Sequence, residues 1–107
     1  MFNSNVKNVS AEEAYKLIND DSEVIILDVR TKEEYDNGHI PGAKLVPVQV
    51  LPMKVAEFNK YKDKSILVYC ASGGRSPSAV TILKNNEFEN IYHLSHGISS
   101  WRYNLTR

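Results

Sequence analysis

The sequence predicts an α/β fold, a single domain with a mainly parallel central sheet and helices on both faces. Two observations predict it. Short apolar runs rich in β-branched residues recur at 24–27 (VIIL), 65–69 (SILVY) and 90–94 (NIYHL), the pattern of strands buried on both faces. Segments with helical spacing and helix start signals lie between them, so strand and helix alternate along the chain. A chain of 107 residues accommodates one domain, read here as 1–107 with its core about 6–104.

The elements follow in order. Ser10-Ala11-Glu12-Glu13 is a capping box, in which the Glu13 N–H donates to the Ser10 hydroxyl and the Ser10 N–H to the Glu13 carboxylate. The helix it opens puts Ala14, Leu17 and Ile18 on one face and ends near Asp20 and Asp21. Residues 24–27 form a central strand, closed by Asp28-Val29-Arg30. Thr31 caps a short helix through Tyr35, and 37–42 (NGHIPG) is turn-rich. Residues 44–48 read as a strand, stopped by Pro47 or just after it. Pro52 suits the first turn of a helix running towards Tyr61, with Met53, Val55, Ala56 and Phe58 as apolar candidates. Residues 65–69 form a strand that leads directly into Cys70. Ser76 and Pro77 then take the N-cap and first-turn places of a helix with Ala79, Val80, Ile82 and Leu83 on its apolar face. Residues 90–94 form another strand, and 97–103 a closing helix that docks Trp101 on the core.

Composition excludes several classes of function. Lysine plus arginine equals aspartate plus glutamate, 13 each, which removes any general electrostatic pull towards nucleic acid or an anionic membrane. No apolar run reaches the roughly 18 residues of a membrane span. The N-terminal segment lacks the basic start and apolar core of a signal peptide, so a cytoplasmic protein is expected. The one cysteine cannot form an internal disulfide or build a thiolate metal site alone.

Cys70 carries the strongest chemical signal. It stands at the carboxyl end of a strand and just before a helix, the edge at which parallel sheets bind ligands. An ordinary thiol, with a pKa of about 8.5, is mostly protonated at neutral pH and a poor nucleophile. The loop Cys70-Ala71-Ser72-Gly73-Gly74-Arg75-Ser76 holds what lowers that value. Gly73 and Gly74 allow positive φ, so successive N–H groups can turn inward into an anion-binding nest. The helix start adds its positive dipole end, and Arg75 a permanent charge. A buried structural cysteine, or an anion-binding loop with an incidental cysteine, is the plainer alternative.

The Cys70–Ser76 loop resembles the active-site loop of the rhodanese family. Residues 26–30 (ILDVR), followed by Glu34-Tyr35 and 38–43 (GHIPGA), resemble the family's first signature, and 94–101 (LSHGISSW) its closing segment. The resemblance covers nearly the whole chain. It implies a sulfurtransferase in which Cys70 is the nucleophile and carries sulfur as a persulfide. Ala71, Ser72, Gly73, Gly74, Arg75 and Ser76 would bind the substrate anion through their N–H groups. The implied partners are small sulfur donors (thiosulfate, a persulfide or a polysulfide) and thiol or cyanide acceptors, or else a protein donor or acceptor. Neither a cofactor nor a metal is implied, and neither nucleic acid nor membrane is expected as a partner. Two alternatives stand beside this reading: a protein-to-protein sulfur carrier, and an oxyanion enzyme of the phosphatase or arsenate-reductase kind. The latter separate their cysteine and arginine by five residues; here four intervene, Ala71 to Gly74, which resembles the sulfur-transferring form.

Other residues draw plainer readings. Asp28 and Arg30 sit at the functional edge of the sheet, and bracing of the loops is favoured over substrate contact. His39 is read as a packed turn residue satisfying backbone groups, and His93 and His96 as structural or exposed. His96 stands where the family often has glycine, and a positive φ there would carry strain. Ala71 and Ser72 are neutral where thiosulfate-specialised members tend to carry cations, so a persulfide or polysulfide donor is expected to be preferred. Lys60, Lys62 and Lys64 read as a solvated loop.

Overall fold

A computed structural model describes residues 5–107. Five strands, β1 (Asn5–Val9), β2 (Ile25–Asp28), β3 (Lys44–Leu45), β4 (Ser65–Tyr69) and β5 (Asn90–Leu94), form one sheet in the order β1-β5-β4-β2-β3. Every pairing is parallel. The helices are α1 (Ala11–Asp20), α2 (Lys32–Asp36), α3 (Leu51–Lys54) and α4 (Ser76–Asn85).

Strand alternation divides the core in two. Ile66 and Val68 of the central strand, and Cys70 just after it, join Leu27, Val29 and Ile91 beneath α3 and α4, with Leu51, Val55, Ala79, Leu83 and Phe88. Leu67 and Tyr69 face the other way, towards Val9, Ala14, Ile26, Ile40, Ala43 and Leu94, with Leu17, Ile18 and Trp101 packed against them. The apolar runs are continuous because both faces of the sheet are covered. No described helix is long and apolar enough to cross a membrane.

The capping boxes form at Ser10/Glu13 and at Thr31/Glu34. Three local expectations are corrected, and one strand is added. β1, an edge strand whose polar residues hide its pattern, has no counterpart in the sequence reading; it exists because its ladder pairs with β5. The strand expected over 44–48 is regular only at Lys44–Leu45. Beyond it, the Val46 and Val48 N–H groups still donate to the Asp28 and Val29 carbonyls, but Pro47 between them has no N–H to continue a ladder. The helix expected from Pro52 to Tyr61 is one α turn, Leu51–Lys54, followed by a 3₁₀ helix, Val55–Tyr61. Val50 supplies no side-chain cap, and Val55, Phe58 and Tyr61 are weaker helix formers. The closing helix expected over 97–103 shrinks to a 3₁₀ turn, Ile98–Ser100. There the Ser99 and Ser100 hydroxyls donate to the carbonyls of His96 and Gly97, competing with helix continuation.

Gly97 is the tightest point of the closing segment. Its φ is +67°, and a Cβ would lie 2.4 Å from the Ala71 carbonyl oxygen and 2.7 Å from that of Cys70. Replacing Gly97 by alanine is expected to destabilise the fold by about 2–4 kcal/mol and to loosen the Cys70 loop. Denaturant unfolding measures the first effect, and an unchanged midpoint would overturn it.

Candidate active site

Cys70 ends the central strand with its side chain on the α4 side of the sheet, and the residue is 1% exposed. The loop after it folds back over the sulfur. The Gly73 N–H donates to Sγ at 3.2 Å and the Ser76 N–H at 3.3 Å, and the Arg75 N–H also faces it. Sγ lies 3.3 Å from Ser76 Oγ. Gly73 has φ +101°, and a Cβ there would sit 2.1 Å from the Ser95 carbonyl oxygen, so the nest admits only glycine. Gly74, expected to share this role, is not at positive φ and has open space around it. The base of the loop is pinned from outside: the Ile98 and Ser99 N–H groups donate to the Cys70 and Ala71 carbonyls, both at 2.9 Å.

These contacts set the direction in which the thiol's pKa moves. Burial alone would raise its pKa, but hydrogen bonds from the Ser76 hydroxyl and from the Arg75, Ser76 and Gly73 amides outweigh burial, and the net shift is downward. The nest therefore favours negative charge on sulfur. Of the loop residues proposed as anion binders, Gly73, Arg75 and Ser76 aim N–H groups at Sγ. Ala71 is half-buried, and Ser72 and Gly74 are exposed at the rim.

Ser76 departs from its expected role. Arg75 is the N-cap, without a side-chain cap bond, and Ser76 is the first helical residue, fully buried. Its Oγ lies 2.6 Å from His93 Nε2, and His93 Nδ1 lies 3.0 Å from Asn8 Oδ1. His93, read from sequence as structural or exposed, is buried and joined to the thiol through one hydroxyl. Burial pushes its pKa below the ordinary imidazole value. Its alternation with Ile91 on β5 was the signal that it shares the Cys70 face.

Arg75 is also more engaged than its sequence position suggests. Its guanidinium grips Glu34 in a fork, Nη1–Oε1 2.7 Å and Nη2–Oε2 2.9 Å. Glu34 is the dominant influence on Arg75, and a thiolate on Cys70 a weaker one. Glu34 was recognised only as part of a motif. It both completes the α2 capping box, accepting from the Thr31 N–H at 2.9 Å, and offsets the one cation of the loop.

Asp28 and Arg30 lie on the opposite face of the sheet. Asp28 Oδ2 accepts from Arg30 Nη2 at 2.8 Å and from the Tyr69 hydroxyl at 2.7 Å. Arg30 Nη2 also donates to the Gly38 carbonyl, and the Tyr69 oxygen accepts from the Ile40 N–H. Their geometry is that of a brace. His39 Nδ1 sits 2.8 Å from the Tyr35 carbonyl oxygen, and its ring stacks on Tyr35. His96 is exposed and not at positive φ; the adjacent Gly97 takes that conformation, so the anticipated strain at His96 is absent.

A buried thiol in an amide nest, at the carboxyl end of a central parallel strand, defines a class of anion-stabilising cysteine sites. The family model for the rhodanese-like domain matches residues 10–104, and the chain belongs to that family. A sulfurtransferase of Allochromatium vinosum is 30% identical over 96 residues, covering 90% of this chain and 88% of that protein. A tRNA uridine(34) hydroxylase of Erwinia tasmaniensis is 37% identical over 83 residues, covering 74% of this chain, which spans only 24% of that longer protein. The crystal structure of a rhodanese-like domain protein from Staphylococcus aureus superposes with a TM-score of 0.83 at 32% identity, covering 94% of this chain and 96% of that one.

The Glu34–Arg75 pair makes stability depend on pH. Hydrogen bonding to Arg75 is the largest cause that holds the Glu34 carboxyl at about 2, below its ordinary 4.5. A carboxyl depressed in the folded state stabilises that state above its unfolded pKa and loses the effect as pH falls through its folded one. The stability advantage of the wild type over Glu34→Gln is therefore expected to be full above about pH 5 and to fade towards pH 2. Parallel acid titrations of stability measure it, and a pH-independent difference would refute the pairing.

Proposed function

We propose that this chain is a sulfurtransferase that accepts sulfane sulfur from a small donor onto Cys70 and passes it to a thiophilic acceptor. The observation that carries this reading is the convergence of backbone N–H groups on Cys70 Sγ, with Ser76 beside them. Such a nest stabilises a thiolate before reaction and an anionic persulfide after it, at no reorganisation cost.

In the first half-reaction the Cys70 thiolate attacks the outer sulfur of the donor. A new S–S bond forms, the donor's own S–S bond breaks, and its electron pair leaves with sulfite or a thiolate. In the second half, cyanide or a thiolate attacks the terminal sulfur of the persulfide, and Cys70 recovers its electron pair. No net oxidant is consumed. Ser72 and Gly74 are the exposed residues of the loop, which supports their meeting the donor first.

Intact-protein mass spectrometry tests the cycle. Exposure to thiosulfate or a persulfide is expected to add one sulfur atom, and cyanide to remove it as thiocyanate. Cys70→Ser should fold normally and neither load nor transfer. Retained turnover in that variant would overturn the mechanism. Loading only by a protein donor would favour the carrier reading.

The charge balance of the loop predicts a donor preference. Arg75 is its only cation, and Glu34 offsets it. Glutathione persulfide is therefore expected to show a higher kcat/KM than thiosulfate. Glu34→Gln should raise thiosulfate efficiency by about two- to fivefold, the scale of a partly exposed ion pair. Steady-state kinetics decide this, and superior use of thiosulfate by the wild type would contradict it.

A further inference from the structure

We propose that His93, acting through Ser76, takes up the proton of the Cys70 thiol, and that Asn8 holds His93 in the tautomer this requires. The proposal rests on Cys70 as the nucleophile and adds how that thiol ionises inside a buried nest. Three contacts form one line. The Cys70 S–H donates to Ser76 Oγ at 3.3 Å, Ser76 Oγ lies 2.6 Å from His93 Nε2, and His93 Nδ1 faces Asn8 Oδ1 at 3.0 Å. An amide oxygen only accepts, so Nδ1 carries the imidazole hydrogen. Nε2 is then the bare nitrogen, and it accepts from the Ser76 hydroxyl.

The proton balance is simple. The Cys70 S–H bond breaks and its electron pair stays on sulfur. That proton bonds to Ser76 Oγ while the original Ser76 proton moves to His93 Nε2. The products are a thiolate, an unchanged serine that now donates to Sγ, and an imidazolium that donates to Ser76 Oγ and Asn8 Oδ1. Each new hydrogen bond has a charged partner, the stronger kind. The serine hydroxyl thus reverses direction, accepting from the thiol in one state and donating to the thiolate in the other.

The surroundings leave this line electrically simple. β1 and β4 place Asn8 and Val68 beside His93. Lys7 and Tyr92 line a cavity with Glu13, Lys16 and Asp20 of α1, on the far side of the sheet. On α4, Arg75 is paired with Glu34, and Lys84 is exposed in the last turn. Cys70 is therefore the titratable partner in line with His93. Burial lowers the basicity of the imidazole, so Nε2 is bare near neutral pH, and the imidazolium that forms depends on its bonds to Ser76 Oγ and Asn8 Oδ1 and on the thiolate it faces.

The experiment is a titration of thiolate ultraviolet absorbance in the full chain, with Cys70→Ser as the blank. Two coupled groups release their protons in two macroscopic steps, so the wild-type thiolate should appear in two steps. In His93→Gln the low-pH step should vanish, lowering the thiolate fraction there by about tenfold, the loss of one charge-assisted hydrogen bond. Asn8→Asp, at an exposed edge position, should do the opposite and enlarge the low-pH step, because a carboxylate favours the imidazolium. A merely structural His93 would not move with Asn8→Asp. If His93→Gln fails to fold, Asn8→Asp decides alone. Curves that superimpose on the wild type would overturn the proposal. Persulfide formation at high pH, where the thiol ionises unaided, should survive in His93→Gln; its presence alongside unchanged titration curves would sink the relay and leave sulfur transfer standing.

Discussion

The buried carboxylate of Asp28 is the constraint on which the site-bearing edge of the sheet depends. It has no solvent exposure, so every bond its oxygens make must come from protein. Arg30 supplies its backbone and side-chain N–H groups, and Tyr69 its hydroxyl. Through the same two residues the carboxylate reaches the Gly38 carbonyl and the Ile40 N–H. One charge thus ties the ends of β2 and β4 to the turn that follows α2. Removing a single partner would leave the rest unpaired in a dry interior, which costs more than the bond is worth when intact. Tyr69 is thereby fixed, and the next residue, Cys70, must leave the sheet on the opposite face.

On that face the electrostatic problem is reversed. The brace surrounds the Asp28 side chain with donors, whereas the Cys70 loop turns its donors on a thiol. Burial opposes the thiolate; amides and a hydroxyl favour it, and they prevail. Fixed dipoles do this more precisely than a mobile side-chain cation, because their positions are set by Gly73 and by the Gly97 segment pressed against the loop. Arg75 contributes its amide to the sulfur and spends most of its charge on Glu34. The loop is consequently less cationic than its sequence suggests, and hydrogen bonding to sulfur outweighs net charge in it.

Local signals were legible where the physics is local. The capping box at Ser10, the N-cap at Thr31, the apolar strands and the turn glycines announce themselves within a few residues, and the structure shows the caps at Ser10 and Thr31 and strands at 25–28, 65–69 and 90–94. Some readings failed on local details, such as the missing N–H of Pro47 and the hydroxyls of Ser99 and Ser100, and others where distant partners intervene. β1 is a strand because β5 offers it a ladder, the segment after Leu94 stays irregular because it packs on the Cys70 loop, and Ser76 leaves the cap position because His93 holds its hydroxyl.

By itself the sequence determined the fold class, the family and the make-up of the candidate site: one thiol at the end of a buried strand, followed by glycines, one cation and a helix start. These depend on spacing along the chain, which a sequence displays directly. Only the tertiary structure decided the company the thiol keeps. Glu34 and Arg75 meet across 41 residues, and Asn8 and His93 across 85. Such contacts are set by strand order and by which face each side chain takes, and a parallel sheet assembles both only once the whole chain has folded.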